Sequence, residues 1–446
     1  SVFRGSLFPT EHRRRASYFV QLESSDRDAL PRARFPPPPC TAPGTARSAP
    51  ATRVMRILLL CEGDPETNDS WSGTSRSVLE SLRALGHEVI PGDVDLYGAR
   101  RYLAAVLTFS RPRGRWWSRY HLGAIPFRMR SARARALGRA YAGSVDAILQ
   151  FGATFSPPDL PGVPVFLYCD SNIELARLGQ ASGFTDASHL SPGELASVAR
   201  REKAVYDRAA LVMTFSQVLR DTFVEHFGLS SERVLAVGGG PNLGGLSLPP
   251  DGASPAESGP VVLFVGRQFE RKGGDLLLRA FDRVRSRVPA ARLVIVGPDT
   301  LPEGMAGTPP EGVEFLGFLD KDSPTHRERL SRAYATARVF CLPTRFEPYG
   351  VSFLEAMRFG LPCVGPRAWA VPELVQDGDT GILVDPEEVV ALADAMERLL
   401  LDEDLARRMG EAGRRLARER FTWERIVRDM AEAMQTRTHP PAGTGA

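Results

Sequence analysis

Residues 345–365 read RFEPYGVSFLEAMRFGLPCVG, and the way this stretch divides decides the fold. The apolar run ARVFCLP (337–343) that leads into it is a short strand of the kind covered on both faces. A helix opening near Gly350-Val351-Ser352 puts Glu355 in its second turn and leaves Glu347 in the loop before it. The helix start between the two glutamates offers unsatisfied N–H groups and the positive end of a dipole, which together make an anion site. A diphosphate seated there would have one carboxylate on each side, suited to accepting hydrogen bonds from sugar and ribose hydroxyls. The plainer alternative is a loop followed by an amphipathic helix with solvent-facing acids.

Outward from this unit, strand-like runs alternate with helix-like segments in both directions. Upstream in the same half stand PVVLFVG (260–266), ARLVIVG (291–297) and VEFLGF (313–318); downstream stand PCVGP (362–366) and GILVD (381–385). The first half repeats the pattern with RILLLC (56–61), HEVI (87–90), VDAILQF (145–151), VPVFLYC (163–169), ALVMTFS (210–216) and VLAVGG (234–239). Such alternation predicts an α/β fold with two parallel sheets, each covered by helices, and with ligands at the carboxyl ends of the strands. The Pro-, Gly- and Ser-rich stretch PNLGGLSLPPDGASPAESG (241–259) separates the halves. The expected boundaries are a disordered extension over 1–54, a first Rossmann-like domain over 55–245, a linker over 246–259 and a second domain over 260–420. A helix over 421–436, packing back on the first domain, and a disordered tail over 437–446 complete the chain. Residues 1–54 carry Arg13-Arg14-Arg15 and four consecutive prolines but no periodicity, so Met55, directly before RILLLC, reads as the functional start.

The composition agrees with two ordinary cores. Of 446 residues, 43% are apolar and 24% charged. The net charge of +3, from 56 basic and 53 acidic side chains, excludes a global polyelectrolyte role. Five scattered cysteines without a C-x-x-C pair point to reduced thiols in a cytoplasmic setting. No apolar stretch is long enough to span a bilayer, and no secretory hydrophobic region opens the chain.

Two further groups of residues carry chemistry. Arg267 and Lys272 follow the strand PVVLFVG, with Gly266 and Gly273-Gly274 allowing close backbone approach, an arrangement suited to a pyrophosphate. The alternative is a pair of solvated surface charges. Residues 110–140 hold nine arginines with Trp116, Trp117, Tyr120 and Phe127 and no acid. They read as a solvated basic face or as a peripheral contact with an anionic membrane; no nucleic-acid-binding motif accompanies them. Asp93-Val94-Asp95 is a D-x-D string, but the seven histidines show no ligand spacing, and no metal site is expected.

The quoted stretch at 345–365 resembles the paired-glutamate motif of glycosyltransferase family 4 (group 1), a large retaining family with the GT-B fold of two Rossmann-like domains facing each other across a cleft. VLFVGRQFERKGGDLLLRAF (262–281), VPELVQDGDTGILVDP (371–386), REKAVYDRAALVMTFS (201–216) and the loop Trp71–Thr74 resemble further family pieces in the same order. The resemblance implies transfer of a hexose from a nucleotide diphosphate sugar to the hydroxyl of a sugar, lipid-linked or small-molecule acceptor, with retention and without a metal or other cofactor. It puts the donor on the second domain and the acceptor on the first. It implies that Glu347 lies beside the transferred sugar and that the backbone of Tyr349, Gly350, Val351 and Ser352 holds the diphosphate. Arg267 and Lys272 would meet its charge, Glu355 would bind the ribose, and Gly73 would let the first-domain loop close, although Gly73 also suits a plain strand–helix turn. Many family members carry a histidine where this chain has Asp170, in CDSN. A carboxylate can accept a proton but cannot act as a neutral imidazole donor. Asp170 is thus either a catalytic candidate or an Asx cap for the helix beginning near Asn172. The same architecture also admits a nucleotide-sugar epimerase or a non-catalytic nucleotide-sugar-binding scaffold.

Overall fold

The computed structural model describes residues 53–68, 70–250, 259–301 and 310–438. Nearly all of the 1–54 extension, most of the linker and the last eight residues lie outside the described residues. Among the described residues twelve strands form two sheets of six, all parallel. The first comprises β1 (Arg56–Cys61), β2 (Glu88–Asp93), β3 (Ala147–Phe151), β4 (Val165–Cys169), β5 (Leu211–Thr214) and β6 (Val234–Ala236), in the order β2-β1-β3-β4-β5-β6. The second comprises β7 (Val261–Val265), β8 (Arg292–Val296), β9 (Val313–Gly317), β10 (Val339–Cys341), β11 (Cys363–Pro366) and β12 (Gly381–Val384), in the order β12-β11-β10-β7-β8-β9. Each apolar run in the sequence becomes one strand. Most are trimmed at their ends, whereas HEVI runs on through Pro91 to Asp93.

Burial on both faces is visible residue by residue in β1. Ile57, Leu59 and Cys61 enter one hydrophobic cluster, and Leu58 and Leu60 enter another. Side chains alternate across a strand, so a continuous apolar run is what a doubly covered strand requires.

Helices in the first half are α1 (Thr74–Ala84), α2 (Gly98–Leu107), α3 (Arg113–Leu122), α4 (Ala124–Ala140), α5 (Ile173–Leu178), α6 (Pro192–Asp207) and α7 (Gln217–Glu225). In the second half they are α8 (Gly274–Arg287), α9 (Pro324–Ala335), α10 (Val351–Arg358), α11 (Val371–Leu374), α12 (Val389–Leu401), α13 (Glu403–Arg420) and α14 (Trp423–Thr438). The arginine-rich stretch 110–140 is thus two helices, α3 and α4. None among the described residues is long and apolar enough to cross a membrane. The last helix, α14, returns to the first sheet and packs on α1. The Trp423 indole donates to Pro241 O at 3.1 Å, and Gln435 donates to Arg53 O at 2.8 Å.

The strand orders locate the ligand-ready ends. The order reverses between β1 and β3 in the first sheet and between β7 and β10 in the second, and crevices open where neighbouring loops diverge. The loops after β1, β7 and β10 are those that carry Gly73, Arg267 with Lys272, and Glu347.

Candidate functional site

The loops after β7 and β10 are hydrogen-bonded to each other, backbone to backbone and side chain to backbone. Arg345 N donates to Arg271 O at 2.9 Å, and Arg271 Nη1 donates to Phe346 O at 2.6 Å. Gly273, at φ 74°, passes so near Pro343 that a Cβ would lie 1.9 Å from its carbonyl oxygen, so only glycine fits there. Arg345 clamps the start of α8 through two bonds to Asp275, of 2.6 and 2.7 Å. This zipper brings together residues far apart in sequence: Lys272 Nζ donates to Glu347 Oε2 as a buried ion pair. Burial holds the Lys272 ammonium below its ordinary pKa, against the opposing pull of Glu347. Arg267, on the same loop, is exposed, and its guanidinium stacks 3.8 Å from the centroid of the Phe318 ring.

Gly350 caps α10 at φ 108°, and no side chain caps the helix start. A Cβ on Gly350 would meet Glu347 Cγ at 3.3 Å and the Phe353 ring at 2.9 Å. Glu355 lies in the second turn of α10, as the spacing predicts, and is buried. Its two carboxylate oxygens accept from Lys321 Nζ at 2.6 Å and from the Tyr334 hydroxyl at 3.0 Å.

Lys321 carries the network to the other sheet. Its ammonium also donates to Asn242 O at 2.5 Å, and Asn242 Nδ2 donates to Ser72 O at 2.9 Å and Thr74 Oγ1 at 3.0 Å. Gly73 lies inside this grip at φ 90°, and a Cβ there would come within 3.3 Å of Asn68 Oδ1. The loop that carries Gly73 is tied through Asn242 and Lys321 to Glu355. Within the Pro- and Gly-rich stretch 241–259, Asn242 is buried, and Leu246 is buried in the hydrophobic core.

Other contacts fasten the two halves around the same place. The Tyr349 hydroxyl accepts from Gly239 N and donates to Gly239 O, both at 2.8 Å. Its ring meets Phe215 edge-on, with centroids 5.2 Å apart, so the side chain of Tyr349 acts between the sheets as well as its backbone. Phe346 joins the hydrophobic cluster of the first half and lies against Gly179. Glu373 of α11 accepts from Gln217 N at 2.8 Å and Val218 N at 2.9 Å, satisfying the start of α7 with a carboxylate.

Asp170 stands at the carboxyl end of β4, and burial raises its carboxyl from 3.8 to about 6. It is not the cap of α5. Asn172 fills that position, its side chain accepting from Leu175 N at 2.8 Å, so the Asx-cap reading of Asp170 is corrected. The D-x-D carboxylates are occupied locally. Asp93 accepts from Gly63 N and Asp95 N, and Asp95 accepts from Leu96 N and lies 3.8 Å from the buried Arg130. Among the described residues no group of three or more His, Cys, Asp or Glu could hold a metal ion.

Lys321, Asn242, Tyr334 and Glu373 were not legible in sequence. Lys321, Asn242 and Tyr334 are single polar residues outside any motif, Asn242 in a stretch whose composition reads as a linker, and Glu373, inside the quoted stretch 371–386, has nothing in its type or spacing to single it out.

Residues 259–402 match the family profile described as "Glycosyl transferases group 1". The chain is 36% identical over 186 residues to a GDP-mannose-dependent alpha-(1-6)-phosphatidylinositol monomannoside mannosyltransferase of Mycolicibacterium smegmatis, covering 40% of this chain and 48% of that one. It is 30% identical over 275 residues to a D-inositol 3-phosphate glycosyltransferase of Corynebacterium diphtheriae, covering 56% and 62%. The chain thus spans about half the length of the first of these curated relatives and 62% of the second. Among solved structures, sucrose-phosphate synthase from Thermosynechococcus elongatus superposes with a TM-score of 0.62 at 20% identity, over 86% of this chain and 98% of that one. Anabaena HepE in complex with UDP and glucose gives 0.58 at 17% identity, over 86% and 100%.

Proposed function

We propose, from the premise that residues 259–402 are a group 1 glycosyltransferase domain within a GT-B fold, that the chain transfers a hexose from a nucleotide diphosphate sugar to an acceptor hydroxyl. The observation that carries this reading is the convergence of Lys272, Glu347 and the uncapped start of α10 at the switch point of the second sheet. In it the donor diphosphate lies on the amides of Tyr349, Gly350, Val351 and Ser352 and exchanges its charge with Lys272, while Arg267 reaches it from the rim. Glu347 then accepts hydrogen bonds from the sugar, and Glu355 from the ribose. Asp170 faces the acceptor from the first sheet.

Transfer proceeds with retention. The acceptor oxygen bonds to the anomeric carbon on the face that the diphosphate leaves, the carbon–oxygen bond to the diphosphate breaks, and the acceptor proton passes to the departing phosphate oxygen. No covalent enzyme intermediate is needed. The protein supplies positive charge at the leaving group and holds both substrates, with that charge provided by side chains and amides rather than by a cation. A cytoplasmic setting goes with this reading, supported by four buried, unpaired thiols. The acceptor is a sugar, a small molecule or a lipid-linked head group.

A thermal-shift screen against UDP-, GDP- and ADP-sugars, followed by donor hydrolysis on the best partner, tests the reading. Lys272→Ala removes one charge-assisted contact to the leaving group, worth about 1.5–3 kcal/mol, and is expected to lower kcat/KM at least about tenfold. EDTA is expected to leave the rate unchanged. A Lys272→Ala variant within twofold of the parent takes Lys272 out of the site, and sugar interconversion without acceptor replaces transfer by epimerisation.

A further inference from the structure

Helix α2 is built inside out. Its only buried residues are the small Ala104 and Ala105, whereas the large apolar Leu103, Val106 and Leu107 face outward. A surface helix of a soluble domain does the reverse. Val106 is 68% exposed and Phe109, just beyond the helix, 58%. Of the twelve large apolar side chains exposed among the described residues, seven lie between Tyr97 and Trp117, so the patch is one contiguous feature and not scattered surface apolarity. The patch is also held firmly. The Trp116 indole donates to Ala105 O at 2.9 Å and its ring meets Phe109 at 5.4 Å, while Ser118 donates to Asp186 and Arg115 pairs with Glu194.

The charge around it has one sign. Between Asp95 and Asp146 there are eleven arginines and no acidic residue. Several of these serve the fold: Arg130 is fully buried on Glu62, Arg115 and Arg119 pair with Glu194, and Arg133 donates to Asp93 O. Arg100, Arg101, Arg111 and Arg113 are exposed at the rim of the apolar patch. Arg101, Arg113 and Trp117 also border a cavity of about 190 Å³ with Asp95, Tyr120 and His121 on its walls.

We infer that the face formed by α2 and the start of α3, and not the 110–140 stretch as a whole, docks on an anionic lipid bilayer. Leu103, Val106, Leu107, Phe109 and Trp117 enter the acyl boundary, and the rim arginines meet lipid phosphates. Apolar insertion and charge attraction then act together, which suits neither a nucleic acid nor a purely solvated face. Docked in this way, the cavity opens at the membrane surface, where Asp95 can accept hydroxyl hydrogen bonds and Arg101 and Arg113 can meet an anionic substituent. This deepens the transfer proposed above by making the acceptor a hydroxylated lipid head group. Vesicle binding, however, needs neither donor nor acceptor, so it stands or falls separately from that transfer.

The test is co-sedimentation of the full chain with vesicles of phosphatidylcholine alone and of phosphatidylcholine mixed with phosphatidylglycerol. Pelleting is expected only with the mixed vesicles and is expected to weaken at about 0.5 M salt, where the Debye length shrinks to a few ångströms. Val106→Asp combined with Leu107→Ser is expected to weaken vesicle binding by about tenfold or more. Both side chains are exposed, so the melting temperature and the hydrolysis of donor in water should match the parent. The docking is overturned if the parent stays in the supernatant, or if the double variant pellets like the parent. It is equally overturned if light scattering shows a dimer that the double variant dissolves, since the patch would then be an interface between two copies.

Discussion

At the scale of single residues, Asp170 gives the most specific chemical expectation. Its carboxyl is raised to about 6 by burial, so it is ionised above that pH and neutral below it. If the ionised form accepts a hydrogen bond from the acceptor hydroxyl, kcat/KM falls about tenfold per pH unit below 6. Asp170→Asn keeps the shape but does not titrate, so the acid limb should vanish while the plateau drops. A variant that keeps the limb assigns it to another group. The residue was visible beforehand only through the family resemblance, as a departure from the usual histidine, and its chemistry could not be read from composition. The ion pair of Lys272 with Glu347 shows the opposite case. Each partner was identified by its place after a strand, but their meeting across 75 positions follows from the backbone zipper at Arg271 and Arg345, which has no sequence signature.

At the scale of elements, the sheet was legible because parallel strands buried on both faces must be continuously apolar, as RILLLC is. The helices α2 to α4 were not, because their apolar periodicity is broken by arginines that serve buried pairs and an exposed rim. Glu202 shows why a quoted helix can hide a special residue. In REKAVYDRAALVMTFS it reads as one more surface acid, yet in α6 it is buried, accepts from Ile173 N at 3.0 Å at the start of α5, and is raised from 4.5 to about 7. A folded-state pKa raised above the unfolded one means the protonated form is favoured in the fold. The resulting stability is fully present below pH 4.5 and is lost as pH rises through 7. Glu202→Gln removes this loss and keeps an acceptor for Ile173. It should match the parent near pH 4 and gain about 1–3 kcal/mol at pH 8, read as a higher Tm in thermal melts. A difference between parent and variant that does not change with pH would refute the assignment.

At the scale of the whole molecule, the two sheets are held together by polar contacts that converge on the loop around residue 349. Tyr349 bridges to Gly239, Glu373 satisfies α7, and Lys321 joins Glu355 to Asn242. Interfaces of this mixed polar kind between domains normally permit relative motion, and donor binding can then act by selecting the closed arrangement. The contacts differ in kind, and this separates closure from catalysis. Tyr349→Phe removes two hydrogen bonds without touching Lys272 or Glu347, and Glu373→Gln replaces the carboxylate at the start of α7 by a weaker neutral acceptor. At about 1 kcal/mol or more for each contact weakened, the double variant should shift the donor-free molecule toward an open form by tenfold or more. Small-angle scattering should then give a larger radius of gyration for the variant than for the parent, and saturating donor should bring the two together. In the proposed reaction, closure energy taken from donor binding raises the donor KM, while kcat at saturation stays near that of the parent, because the charges proposed to meet the leaving group are untouched. If the double variant instead shows an unchanged radius and a depressed kcat, the contacts at Tyr349 and Glu373 belong to the reaction chemistry, and domain closure depends on other parts of the interface.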